Sequence, residues 1–262
     1  MPLIDGPDGP LEVRVTGSGE PVTVFAHGLA GSIDETRPFG SGVRGSRVFL
    51  HFRGHGSSYA PDTLWTYESV KAELMAVVTA YAARRALGIS LGAGAVLRAA
   101  DESPGSFDRL VLVLPGALDR PRNDDATRRM QEMARLVGSR DVDALTAALV
   151  ADQPLGAQAR PDVRVWAGRQ ARRLAGSNLA RALLDLPPQH PLDPPADLSG
   201  VTCPVLVVGQ EDDPAHPAGL ARDIAERLPD ARLRIFDGDG LVWAHRGELR
   251  ELVGTFLNAD PG

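Results

Sequence analysis

Apolar and polar residues alternate along "LEVRVTG" (11–17), the pattern of a strand with one buried face. "PVTVFAHG" (21–28) and "RVFLHFRG" (47–54) are near-continuous apolar runs that close on glycine. "RALGIS" (85–90), "DRLVLVLPGAL" (108–118), "CPVLVVG" (203–209) and "ARLRIFD" (231–237) read as further strands. Between them the period lengthens to that of a helix. "TYESVKAELMAVVTAYAA" (66–83) places Val70, Leu74, Val77 and Val78 on one face, and "LGAGAVLRAA" (91–100) predicts a second helix. "GELRELVGTFL" (247–257) turns Leu249, Leu252, Val253, Phe256 and Leu257 inward. Strands alternating with helices predict βαβ units, and so a mostly parallel sheet with helices on both faces.

The strand pattern stops between Asp119 and Gly200. "DDATRRMQEMARLVG" (124–138), "DVDALTAALVAD" (141–152), "PDVRVWAGRQARRLAG" (161–176) and "SNLARALLDL" (177–186) all read as helices. The Pro-rich "LPPQHPLDPP" (186–195) cannot be regular helix. The pattern therefore predicts an α/β core from residues 1–120 and 200–262, with 121–199 as an inserted helical cap, or lid.

Composition narrows the function. With 262 residues the chain can form one large α/β domain with an insertion. A net charge of −6 disfavours nucleic acid and anionic membrane as partners. Lys71 is the only lysine, so nearly all positive charge is arginine. Cys203 is the only cysteine, which forbids an intramolecular disulfide and fits a reducing compartment. No apolar run is long enough for a membrane span, and "MPLIDGPDGP" has neither the basic nor the apolar region of a signal peptide. The expectation is a soluble cytoplasmic protein. Its oligomeric state is not legible.

Chemistry enters at "LGISLG" (87–92), where Gly88-Ile89-Ser90-Leu91-Gly92 forms a G-x-S-x-G motif between a predicted strand and a predicted helix. A serine on a sharp strand-to-helix turn takes strained dihedrals, and neighbours without a β-carbon let the backbone close around it. The turn exposes the hydroxyl, so Ser90 is the expected nucleophile.

With this elbow, "FAHGLAGS" (25–32) and "HFRGHGSS" (51–58), the sequence resembles the α/β-hydrolase fold family over nearly its whole length. The resemblance implies a serine hydrolase of the carboxylic ester type. It implies backbone N–H groups of Leu29 and Leu91 as the oxyanion donors, with His27, Arg53, His55 and Ser58 as structural residues. It also locates the catalytic acid in "CPVLVVGQEDDPAHP", where two aspartates compete. Spacing from Gly209 selects Asp212; spacing from Pro204 and back from Pro217 selects Asp213, which is preferred.

The base is the anomaly. Relatives carry a Gly-His pair after the last strand, and this chain has Gly240-Leu241. Leucine cannot accept a proton. His245, four residues on, would lie about 5–6 Å further along a helical turn and is the expected base. His216, on the acid loop itself, is the second candidate. Trp243, Met130, Met133 and Trp166 are candidate substrate-binding residues, or equally core of the helical block.

Aspartate is absent from the elbow, no Cys/His cluster suits zinc, and no phosphate-binding glycine loop occurs, so no metal or cofactor is expected. The reading is hydrolysis of a small or medium acyl ester, thioester or lactone through an acyl-serine. Against it stands a ligand-binding protein, or a biosynthetic acyl transferase or cyclase, built on the same scaffold with an altered histidine position.

Overall fold

The computed structural model describes residues 1–259. Its strands are β1 (Leu3–Asp5), β2 (Pro10–Thr16), β3 (Val22–Ala26), β4 (Ser46–Leu50), β5 (Arg85–Ile89), β6 (Arg109–Val113), β7 (Val205–Gln210) and β8 (Ala231–Phe236). They form one sheet in the order β1-β2-β4-β3-β5-β6-β7-β8. β1 and β2 pair antiparallel, as do β2 and β4, and every later pairing is parallel. β3, β6 and β7 are buried throughout, which is why they read as unbroken apolar runs.

The helices are α1 (Ile33–Thr36), α2 (Tyr67–Ala80), α3 (Leu91–Glu102), α4 (Asp124–Ser139), α5 (Val142–Ala151), α6 (Leu155–Gln158), α7 (Pro161–Ala175), α8 (Ala180–Asp185), α9 (Ala218–Arg227) and α10 (Arg246–Asn258). Local sequence sets their starts. Thr66 and Ser69 exchange side-chain and backbone bonds in a capping box at α2. Asn123 and Asp141 cap α4 and α5 by accepting from Ala126 N–H and Ala144 N–H. No described helix is long and apolar enough to cross a membrane.

The two faces of the sheet bury separate cores. Val70, Leu74 and Val77 of α2 pack on one side with Val24, Val48 and Leu110. Leu249, Val253, Phe256 and Leu257 of α10 pack on the other with Phe25, Val111 and Val208. Helices α4 to α8 lie between β6 and β7 in the chain and form a block around Leu145, Ala167, Ala171 and Leu174, each fully or almost fully buried. The block rests on the loop after β3. Gln170 and Arg173 both donate to the carbonyl of Ala30, the second at 3.1 Å, and Trp166 donates to Glu35 at 3.4 Å.

Candidate active site

The site is built at the carboxyl ends of β3, β5 and β7, where ligands bind in open α/β sheets. Ser90 sits between β5 and α3 at φ 51° and ψ −107°. A non-glycine residue there stores strain, and the neighbouring glycines explain how the turn tolerates it. A β-carbon on Gly88 would stand 2.3 Å from the carbonyl oxygen of Gly92, and one on Gly92 would stand 2.5 Å from that of Ala26. Neither contact is possible, so G-x-S-x-G is a packing requirement of this turn. Ser90 N–H donates to Val113 at 3.0 Å, tying the elbow to β6.

The loop after β3 faces the serine. Gly31 N–H donates to the Gly28 carbonyl at 2.9 Å, closing a turn with Ala30 at φ 61°. Leu29 is the first central residue of that turn, and the turn's bond leaves its N–H unused. Leu91 is the first residue of α3, and a helix's first amides have no partner within it. The α-carbon of Gly28 is close enough that a β-carbon there would meet Ser90 Cβ at 3.3 Å.

Three buried histidines hold this loop, all with the same proton placement. His27 Nδ1–H donates to the Gly28 carbonyl (2.7 Å), while Nε2 accepts from Phe52 N–H (3.2 Å). His51 Nδ1–H donates to Glu12 (2.8 Å) and Nε2 accepts from Ile33 N–H (3.0 Å). His55 Nδ1–H donates to the Arg53 carbonyl (2.8 Å) and Nε2 accepts from Ala30 N–H (3.0 Å). Each Nε2 must be unprotonated to accept. Burial, foremost, lowers all three pKa values, and His55 falls to about 4. Beneath them the buried Arg53 pairs with Glu73, also buried.

The histidine that meets Ser90 is His216. Its Nε2 lies 2.9 Å from Ser90 Oγ, and its Nδ1 lies 3.3 Å from each carboxylate oxygen of Asp213. Both residues come from the one loop between β7 and α9. Asp213 Oδ1 accepts from Ala215 N–H and His216 N–H at 2.8 and 2.9 Å, which folds the loop back and aims the imidazole at the elbow. Burial raises the Asp213 pKa, but the adjacent His216 and these two amides outweigh it, and the carboxyl stays below its ordinary value. Asp212 stands apart at φ 55°, next to Gly238.

His245 does not take the position expected of it. Trp243 and Ala244 both donate to the Gly240 carbonyl, and this tight turn carries His245 to the start of α10. There its Nε2 meets Asp237 at 2.5 Å and its ring lies 5.1 Å from that of Phe236. The position where relatives carry histidine is sealed with apolar packing. Leu241 is 1% exposed, sits in the core with Phe236 and Leu249, and donates its N–H to Gln210.

The helical block adds residues that no motif announced. Arg122, in the loop before α4, donates through Nη1 to the Ala215 carbonyl (2.9 Å) and through Nη2 toward Ser90 Oγ (3.3 Å). Arg129 donates to the Pro214 carbonyl and pairs with Asp152 at 3.2 Å. Burial holds the Asp152 carboxyl above its ordinary value, against the pull of Arg129 and His216. Of the expected substrate-binding residues, Trp166 and Trp243 meet edge to face at 5.5 Å, and Trp243 Nε1–H donates to Gln153 at 3.0 Å. Met130 and Met133 are half-buried and pack against the core that includes the helical block.

The sequence pattern of the Alpha/beta hydrolase family matches residues 23–252. No curated protein matches the chain. Among solved structures, an esterase from Exiguobacterium antarcticum superposes with a TM-score of 0.82 at 16% identity, over 98% of this chain and 99% of that one. MGS-M2, an α/β hydrolase from a deep-sea metagenome library of the Medee basin, gives 0.83 at 15% identity over 99% and 98%. A hydrolase from Pseudomonas aeruginosa PA01 gives 0.77 at 20% identity over 98% of each chain. At these identities the structural likeness establishes the fold, and the sequence match establishes the family. The chain belongs to the Alpha/beta hydrolase family.

Proposed function

We propose that this protein is a serine hydrolase that cleaves a carboxylic ester, thioester or lactone through an acyl-serine, with Ser90, His216 and Asp213 as its triad. The observation that carries the reading is the 2.9 Å approach of His216 Nε2 to Ser90 Oγ. Asp213 accepts a hydrogen bond from Nδ1–H, which keeps the proton on Nδ1 and leaves Nε2 free as the acceptor. Ser90 Oγ attacks the carbonyl carbon as Nε2 takes its proton. The developing oxyanion is received by the N–H groups of Leu29 and Leu91, and two such donors contribute several kcal/mol to the transition state. His216 then returns the proton to the leaving oxygen or sulfur. Water, activated by the same imidazole, releases the acid and restores Ser90.

The missing Gly-His pair is the best support for a ligand-binding or biosynthetic protein on this scaffold. The approach of His216 to Ser90 supports the hydrolase instead. The test is labelling with a fluorophosphonate, which forms a covalent bond only with an activated serine. The wild type labels at Ser90, and Ser90→Ala and His216→Ala do not. Equal labelling of wild type and His216→Ala would overturn the reading.

A further inference from the structure

Arg122 brings a positive charge to the nucleophile, and no carboxylate among the described residues forms an ion pair with it. The carboxylates around it have other cations. Asp152 is paired with Arg129, and Asp119 and Asp223 are both held by Arg227, at 2.8 and 2.9 Å. Asp213 is occupied by His216.

The position of the guanidinium is built in. Nη1 is fixed by the Ala215 carbonyl, next to the base. The head group lies across Gly116, where a β-carbon would stand 1.9 Å from Nη2. Glycine at 116 therefore makes the room that Arg122 fills. A cavity of about 390 Å³ opens beside it, with Gly116, Ala126 and Ala215 near Arg122 and the Arg227 cluster of Asp119 and Asp223 also in its lining. An arginine with no carboxylate partner, at the edge of a cavity and 3.3 Å from a nucleophile, is a preset anion receptor. Its single charge and planar fork match a carboxylate, which carries one negative charge in the same planar geometry.

We propose that Arg122 binds a carboxylate of the substrate, so that the site selects esters carrying a carboxylate within a few bonds of the scissile carbonyl. The proposal rests on the acyl-serine reading for its chemistry, though not for the binding of the anion.

The experiment uses two pairs of esters, each matched in shape and differing in charge, followed by titrating the acid released. Monomethyl succinate against methyl 4-methylpentanoate places the charge on the acyl half. Acetoxyacetate against isobutyl acetate places it on the alcohol half. The wild type should favour the charged member of at least one pair in kcat/KM. Arg122→Gln should cut that preference about 30-fold or more, as expected when one partner of a desolvated charge pair is lost. Arg122→Lys should retain part of it. Gly116→Ala, which keeps the arginine but displaces its head group, should lower the preference as well. Calorimetry supplies an arm independent of turnover: the favoured charged ester binds Ser90→Ala, and binds at least 30-fold more weakly once Arg122→Gln is added. If the wild type shows no charge preference, or Arg122→Gln leaves preference and binding unchanged while Ser90 still labels with fluorophosphonate, the carboxylate proposal is overturned and the hydrolase reading stands. If Ser90 does not label and no ester is cleaved, yet the charged ester binds Ser90→Ala through Arg122, the hydrolase reading fails and the anion site survives.

Discussion

The imidazole of His216 and the hydroxyl of Ser90 meet at 2.9 Å although 126 residues separate them. Two loops make this contact, the elbow after β5 and the acid loop after β7, and their strands are separated in the sheet only by β6. The loop after β8 brings no histidine to Ser90, and its His245 turns to Asp237. Asp213 and His216 lie three residues apart on one loop and must move together. A change to the loop backbone is therefore expected to disturb both.

The acid is Asp213 on this account. Asp213→Asn should lower kcat by about 10⁴, because an amide favours the wrong imidazole tautomer. Asp212→Asn should stay near wild type, since Asp212 lies toward Gly238 and asparagine tolerates its positive φ. Kinetics of the two variants on one p-nitrophenyl ester decide the matter. A severe Asp212 variant with a mild Asp213 variant would reverse the assignment.

Restoring histidine at the position used by relatives should harm the protein. Leu241 is 1% exposed and packed among Phe236, Leu249 and Val208. Leu241→His puts a polar ring into that core and should cost about 2 kcal/mol or more of stability, measured by urea unfolding. It should not restore activity to His216→Ala. A stable, active double variant would mean that the older position is still accessible.

Acid should loosen the loop after β3 through its histidines. His55 titrates at about 4 in the fold and near 6.5 when unfolded. Between those values the unfolded chain binds the extra proton and the folded chain does not. Stability is therefore fully present above about pH 6.5 and falls as pH drops toward about 4, by as much as about 3 kcal/mol from this residue. His27 and His51 are shifted the same way, and Glu12, whose carboxyl is held below its ordinary value, adds a loss at lower pH. Urea midpoints between pH 7.5 and 4.5 should fall, and His55→Gln should flatten the slope. A midpoint independent of pH over this range would contradict neutral histidines as the loop's acceptors.

Much of this was legible in the sequence. β3, β6 and β7 announced themselves because both sheet faces are covered, and the elbow because its glycines have no room for a β-carbon. β1 and α1 are only three and four residues long, too short for a period to register. His245 departs from its expected position for a different reason. One turn of helix beyond Leu241 would point it toward the elbow. The bonds to the Gly240 carbonyl instead carry His245 to Asp237. The usable signal was the spacing of Asp213 and His216 around Pro214, because an aspartate that accepts its own downstream amides bends the chain back on itself. Arg122 gave no signal at all, since its position beside Ser90 depends on Gly116 and Ala215, which are remote from any motif.

The central claim is that the base has moved to the acid loop, and paired kinetics of His216→Ala and His245→Ala on p-nitrophenyl butyrate test it most directly. Both variants should fold, because neither histidine is buried. His216→Ala should lose about 10³- to 10⁶-fold in kcat, the range seen when a triad's base is removed. His245→Ala, which gives up only the contact with Asp237 and Phe236, should keep kcat within about threefold, since an exposed ion pair contributes little. The opposite pattern, a silent His216 variant and an inactive His245 variant, would contradict the account.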